Sequence, residues 1–72
     1  MAFVYVLQSL IKDWRYIGCT ENKKQRLNYH NQGKVKSTRF YKPFKIIYSE
    51  EYNTLAEARA RECHLKSAER GV

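Results

Sequence analysis

Proline and glycine are scarce in this chain, one and three among 72 residues, and neither repeats nor low-complexity tracts interrupt it. There are only two cysteines, Cys19 and Cys63, far apart and in no metal-type spacing. With two histidines and no C-x-x-C or H-x-x-x-H pair, a zinc site is excluded. One disulfide stays open, but no secretory segment precedes it, so a reduced, cytoplasmic chain is the expectation. Long apolar runs are missing too, which excludes a membrane span. Ala2 to Leu10 follows no charged n-region and precedes no cleavage site, so it does not read as a signal peptide. Acids are the last shortage: seven Asp and Glu face fourteen Lys and Arg.

That imbalance leaves a net charge of +7 and a pI near 9.7 on a very small surface. Such a field attracts polyanions: nucleic acid first, acidic membrane second, an acidic protein third. Solubility alone is the plain alternative. Hydrophobic content of 43% argues against disorder, and the length fits one domain over residues 1–72 with a compact core.

Ala2 to Ser9 alternates and is rich in β-formers, with Phe3, Tyr5 and Leu7 on one face and Val4 and Val6 on the other. Leu10 to Asp13 reads as a turn, and Trp14 to Cys19 as the second arm of an antiparallel hairpin ended by Gly18. Thr20 is the expected N-cap of a polar helix, Glu21 to Gln32, that stops at Gly33. Its apolar stripe is thin: Leu27 and part of Tyr29. Lys34 to Lys45 reads as a basic loop feeding a third strand, Phe44 to Glu50, with Ile46 and Tyr48 on one face and Ile47 on the other. Thr54 opens the last helix through a capping box with Glu57, and Leu55, Ala58 and Leu65 mark its buried stripe.

Glu62 falls inside that stripe at about 100° per residue. An inward carboxylate must be paired, protonated or bound to a cation. A structural ion pair with an arginine or lysine is one reading. A divalent ion is the other, because Mg²⁺ keeps several waters and needs few protein ligands. Arg26 and His30, four apart, share a helix face. They are either two solvated residues or a phosphate fork with a proton-handling neighbour. Tyr5 and Tyr16 are expected roughly opposite one another on the hairpin, as packed aromatics or as phenols that hold a water. Lys34, Lys36, Arg39, Lys42 and Lys45, interleaved with Phe40 and Tyr41 and free of acids, form a backbone-tracking patch or a solvated loop. Tyr29, Tyr41, Tyr48 and Tyr52 read as packing or surface residues.

Together these residues resemble the GIY-YIG nuclease superfamily, specifically its small stand-alone bacterial members, over essentially the whole chain. Phe3-Val4-Tyr5 matches the first family tripeptide without its glycine, and Tyr16-Ile17-Gly18 is the second, intact. The run from Gly18 to Leu27 is similar to the segment ending in the family's catalytic arginine, here Arg26. His30 sits where many members have a histidine. His30 to Thr38 is similar to the loop of the small members, and Glu57 to Lys66 to their final helix, with Glu62 at the metal-ligand position.

The resemblance implies an α+β fold, a small three-stranded antiparallel sheet flanked by helices. It also implies metal-dependent hydrolysis of a DNA phosphodiester, in a repair or recombination setting. In that scheme Glu62 holds one Mg²⁺ or Mn²⁺, Arg26 neutralises the phosphate, Tyr5 or Tyr16 activates or orients water, His30 supports them, and Gly18 is structural. The competing readings are a non-catalytic basic nucleic-acid-binding module and a protein-interaction domain. A chain this small has no room for a specificity domain. It reads shape or backbone, is weakly selective, or takes its target from a partner protein or a second copy.

Overall fold

The computed structural model describes residues 1–70; residues 71 and 72 lie outside the described part. Its elements are strand β1 (Ala2–Ser9), strand β2 (Arg15–Thr20), helix α1 (Lys23–Asn31), a short 3-10 helix (Arg39–Tyr41), strand β3 (Phe44–Tyr52) and helix α2 (Leu55–Arg70). The sheet order is β2-β1-β3, with both pairings antiparallel. The expected α+β architecture, three antiparallel strands flanked by helices, is the one found.

The alternation of β1 splits the core in two. Ala2, Val4 and Val6 face α2, where Ile17, Cys19, Tyr52, Leu55, Ala58 and Leu65 complete one cluster. Tyr5 and Leu7 face α1 and the 3-10 segment, with Phe44, Leu27, Tyr41, Ile46, Trp14 and Tyr16 around them. Central strand β1 is therefore covered on both sides, which is why its residues form a nearly unbroken apolar run.

Local chemistry shifts several boundaries. Asn22, not Thr20, caps α1: its side-chain oxygen accepts from the Gln25 N–H at 3.0 Å. Thr20 is the last residue of β2, and its hydroxyl accepts from the Asn22 N–H at 3.2 Å. The cap position therefore slides by two residues, and the helix starts at Lys23 rather than Glu21. Gly33 follows α1 at φ 76°, as a C′ glycine should. The Thr54–Glu57 box forms as expected, the hydroxyl accepting from the Glu57 N–H at 3.2 Å and donating to its carboxylate at 3.1 Å. Such a cap contributes on the order of 1 kcal/mol.

The third strand carries the larger correction. It runs to Tyr52 and contains a bulge: Val6 pairs with Tyr48, but Leu7 pairs with Ile46. Ile47 is the extra residue, so Ile46 and Tyr48 lie on opposite faces rather than together. Ile46 joins the Tyr5 side. On the α2 side, the Tyr48 and Tyr52 phenols both donate to Glu50, which also pairs with Arg61 at 2.9 Å. The Arg61 contact, then the two phenols, hold the Glu50 carboxyl down to about 2.

Two side-chain clamps tie α1 to the sheet edge. Asn31 accepts from the Phe44 N–H at 2.7 Å and donates to its carbonyl at 3.3 Å. Lys23 donates to the Ser49 hydroxyl at 3.1 Å. The Tyr41 ring stacks on Trp14, 4.1 Å and 9° apart, and the Ser9 hydroxyl donates to the Tyr41 carbonyl at 2.6 Å. The basic segment is thus anchored at the hairpin turn.

Candidate active site

The register sets Tyr5 opposite Gly18 and Leu7 opposite Tyr16. Tyr5 and Tyr16 are therefore diagonal neighbours on one face, not a directly opposed pair. The diagonal explains Gly18. A Cβ there would lie 2.6 Å from the Tyr5 hydroxyl oxygen and 2.8 Å from the adjoining ring carbon. Gly18 does not adopt the left-handed backbone region; its requirement is space for the phenol. It sits within β2 rather than ending it.

His30 is the side chain least anticipated in its setting. On a helix this polar the plain reading is a solvated residue, yet it is 0% exposed. Its Nε2 is 3.2 Å from the Tyr5 hydroxyl and its Nδ1 is 2.8 Å from the Thr38 hydroxyl, while Tyr16 lies alongside with ring centroids 5.2 Å apart. Burial, then the Arg26 charge, lowers its pKa to about 4, so the ring is neutral near pH 7. Burial pushes the Tyr5 phenol up to about 12 against the opposing pull of Arg26, so it keeps its proton.

This burial has a consequence for stability. A histidine whose folded pKa is depressed binds its proton more readily when unfolded. Its contribution is full above about 6.5 and is lost as pH falls towards about 4. On the order of 3 kcal/mol is at stake. Urea unfolding at pH 7 and pH 4 should show that loss in the wild type and little of it in His30→Gln; equal losses in both proteins would count against a buried neutral His30.

Arg26 lies beside the Tyr5 phenol and above the Tyr29 ring, 5.7 Å from its centroid. Its Nε is buried and has no hydrogen-bond partner. Thr20, Gln25, Arg26 and Tyr29 line a cleft of about 240 Å³. Tyr29 lies at the surface, as read from sequence, and its ring also carries two cations, because Lys34 sits 5.2 Å from its centroid as well. A guanidinium with an unmatched buried donor in an open cleft is suited to an oxyanion.

Glu62 is half-buried, and the ion-pair reading describes what the structure contains: Lys66, one turn on, is 2.6 Å from its carboxylate. Burial alone would raise the Glu62 pKa, but the Cys19 thiol, Lys66 and Arg59 together hold it below the usual carboxylate range. The same Lys66 ammonium lies 5.6 Å from the Tyr16 ring, which connects Glu62 to the tyrosine side of the site. Tyr5 contacts both His30 and Arg26, whose charge reaches the His30 ring; Tyr16 flanks them, and Glu62 joins through Lys66. The i,i+4 spacing of Glu62 and Lys66 was the available sequence signal for this pair.

The donor set bears on which metal the site could take. Among the described residues no three His, Cys, Asp or Glu side chains cluster. One carboxylate could hold only a hard ion that keeps most of its waters, such as Mg²⁺ or Mn²⁺, and Glu62 would have to exchange its Lys66 contact for it. Cys19 and Cys63 are free thiols. Of the basic segment, Lys34, Lys36, Arg39, Lys42 and Lys45 are all exposed, and Phe40 is 71% exposed with Arg39 5.0 Å above its ring.

Diagonal tyrosines over a glycine, an arginine and a buried histidine on the next helix, and a glutamate on the far helix place this domain among the nuclease-superfamily α+β folds. The chain belongs to the GIY-YIG catalytic domain family, which it matches over residues 1–71. It is similar to a UPF0213 protein of Streptococcus agalactiae serotype V, 41% identical over 70 residues covering 96% of this chain and 78% of that one. A UPF0213 protein of Clostridium perfringens is 35% identical, covering 97% and 75%, and UPF0213 protein YazA of Bacillus subtilis is 33% identical, covering 94% and 69%. No solved structure gives a comparable match. Among the described residues no helix is long and apolar enough to cross a membrane.

Proposed function

We propose that the chain is a DNA endonuclease that hydrolyses phosphodiester bonds with one divalent metal ion held by Glu62. The observation that carries this reading is the Tyr5 phenol bonded to the buried His30 ring and lying beside the Arg26 guanidinium, which itself lines an open cleft. Mg²⁺ or Mn²⁺, when bound, supplies Lewis-acid stabilisation of charge on the phosphate and leaving oxygen.

The chain's own groups do the rest. Arg26 is a pure donor beside the phenol oxygen, so the Tyr5 proton turns towards His30 Nε2. The phenol oxygen then has a lone pair to accept a hydrogen bond from a water in the cleft. As that water attacks phosphorus, its proton passes to Tyr5 and the Tyr5 proton to His30 while the P–O bond to the leaving oxygen breaks; solvent protonates that oxygen, and His30 returns its proton through Tyr5 to solvent. Arg26 receives the charge that builds on the phosphate oxygens. Tyr16 holds the His30 ring from the side, and Gly18 leaves room for the Tyr5 ring. The five cations between Lys34 and Lys45 would track the DNA backbone, with Phe40 available to a base. A partner protein or a second copy of the chain would supply target specificity, and DNA repair or recombination is the fitting setting.

Purified chain incubated with nicked, branched, flapped and single-stranded DNA should cut at least one form with Mg²⁺ or Mn²⁺ and none in EDTA. Salt-sensitive binding without cleavage under any metal would instead make it a nucleic-acid-binding module.

A further inference from the structure

We propose that Thr38 is a positioning residue that fixes which nitrogen of His30 carries the proton, and so sets the direction of the Tyr5–His30 relay. The catalytic part of this assignment rests on the nuclease reading above; the tautomer itself does not.

Thr38 belongs to the polar basic segment, and its neighbours Ser37 and Arg39 are exposed. Thr38 is nevertheless 0% exposed. A buried hydroxyl in a polar loop needs partners, and two are within reach: His30 Nδ1 at 2.8 Å and the Val35 carbonyl at 3.4 Å. The backbone fixes it from both sides. The Thr38 N–H donates to the Val35 carbonyl at 3.1 Å, and the Thr38 carbonyl accepts from the Tyr41 N–H at 2.9 Å.

The order of donors follows from the two ends of the chain of bonds. At one end the Arg26 guanidinium, which can only donate, lies beside the Tyr5 oxygen, so the phenol proton points to His30 Nε2. Nε2 is then bare, and the neutral ring carries its proton on Nδ1. Nδ1–H donates to the Thr38 oxygen, and at the other end the Thr38 hydroxyl donates to the Val35 carbonyl. Every proton has one place to go.

Removing the Thr38 oxygen would strand a buried Nδ1–H, which costs more than moving the proton to Nε2. With Nε2–H facing the phenol, the Tyr5 proton must turn away from His30, towards the side on which Arg26 lines the cleft. Tyr5 would then donate to the attacking water instead of accepting from it, and the relay would run backwards.

The test is the protonation pattern of His30 by long-range ¹H–¹⁵N spectroscopy on ¹⁵N-labelled protein near pH 7. The chain has only two histidines, and the other, His64, is exposed on α2. The wild type should show a protonated Nδ1 and a bare Nε2; Thr38→Ser should keep that pattern, and Thr38→Val should move the proton to Nε2. In cleavage assays Thr38→Val should lower kcat roughly 10²-fold with KM little changed, and Thr38→Ser should restore it. A wild-type ring protonated at Nε2, or a Thr38→Val ring still protonated at Nδ1, would overturn the assignment. If Thr38→Val does not fold, the wild-type and Thr38→Ser spectra decide it. A chain that cuts no DNA yet shows the expected tautomer removes the nuclease reading and leaves the Thr38–His30 assignment standing.

Discussion

Glu62→Gln is expected to lower metal-dependent cleavage by roughly 10³-fold or more while the domain stays folded. The amide keeps the shape of the side chain and one oxygen but not the charge on which a hard divalent ion depends. Its structural cost is small. The Lys66 partner is partly exposed at the next helical turn, a geometry worth only a few tenths of a kcal/mol. The variant is also one unit more positive, so DNA binding should hold or strengthen slightly. Thermal melting, a filter-binding titration and a cleavage time course on the same preparation separate these effects. Cleavage at the wild-type rate would remove Glu62 from the reaction.

Arg26→Ala should cost cleavage about 10²- to 10³-fold, nearly all of it in kcat. The guanidinium presents a planar fork to phosphate oxygens, and its buried Nε–H is without an acceptor until such an oxygen arrives. Arg26→Lys should recover only part of the loss, because an ammonium is a point charge without the fork. The substitution has a second readout that needs no substrate. Arg26 is one of the two causes that depress His30, so its removal should raise the His30 pKa, measurable by titrating the ring signals. A His30 titration unchanged in Arg26→Ala would mean that the two side chains do not share a site.

The fold class was legible because its signals are local and strong. Period-two apolar runs mark β1 and β3, and Thr54 with Glu57 marks the start of α2. What was not legible depends on tertiary pairing. The bulge that parts Ile46 from Tyr48 arises from how β3 meets β1, and no residue of that stretch announces it. The shift of the helix cap from Thr20 to Asn22 follows from β2 continuing to its full pairing with Phe3. Both residues are good caps, so composition could not choose between them.

The site divides in the same way. Arg26 and His30 share a helix face by spacing alone, but the burial of His30 is produced by Tyr5, Tyr16 and Thr38 closing around it from β1, β2 and the basic segment. Thr38 carries no sequence signal of its own, since a threonine in a polar loop reads as a solvated turn residue. Glu62 was readable as an inward carboxylate, and Lys66 as its counter-ion by spacing. Neither observation alone separates a structural pair from a metal ligand.

On the proposed function, this cluster hydrolyses a phosphodiester only when a divalent ion is present. The most direct test is single-turnover cleavage of end-labelled DNA by the wild-type chain, followed while Mn²⁺ is removed with chelator and then restored. Cleavage should stop on chelation and resume at its former rate when Mn²⁺ returns. Cleavage that continues through chelation, or that never begins with metal present on any DNA form the protein binds, would contradict it.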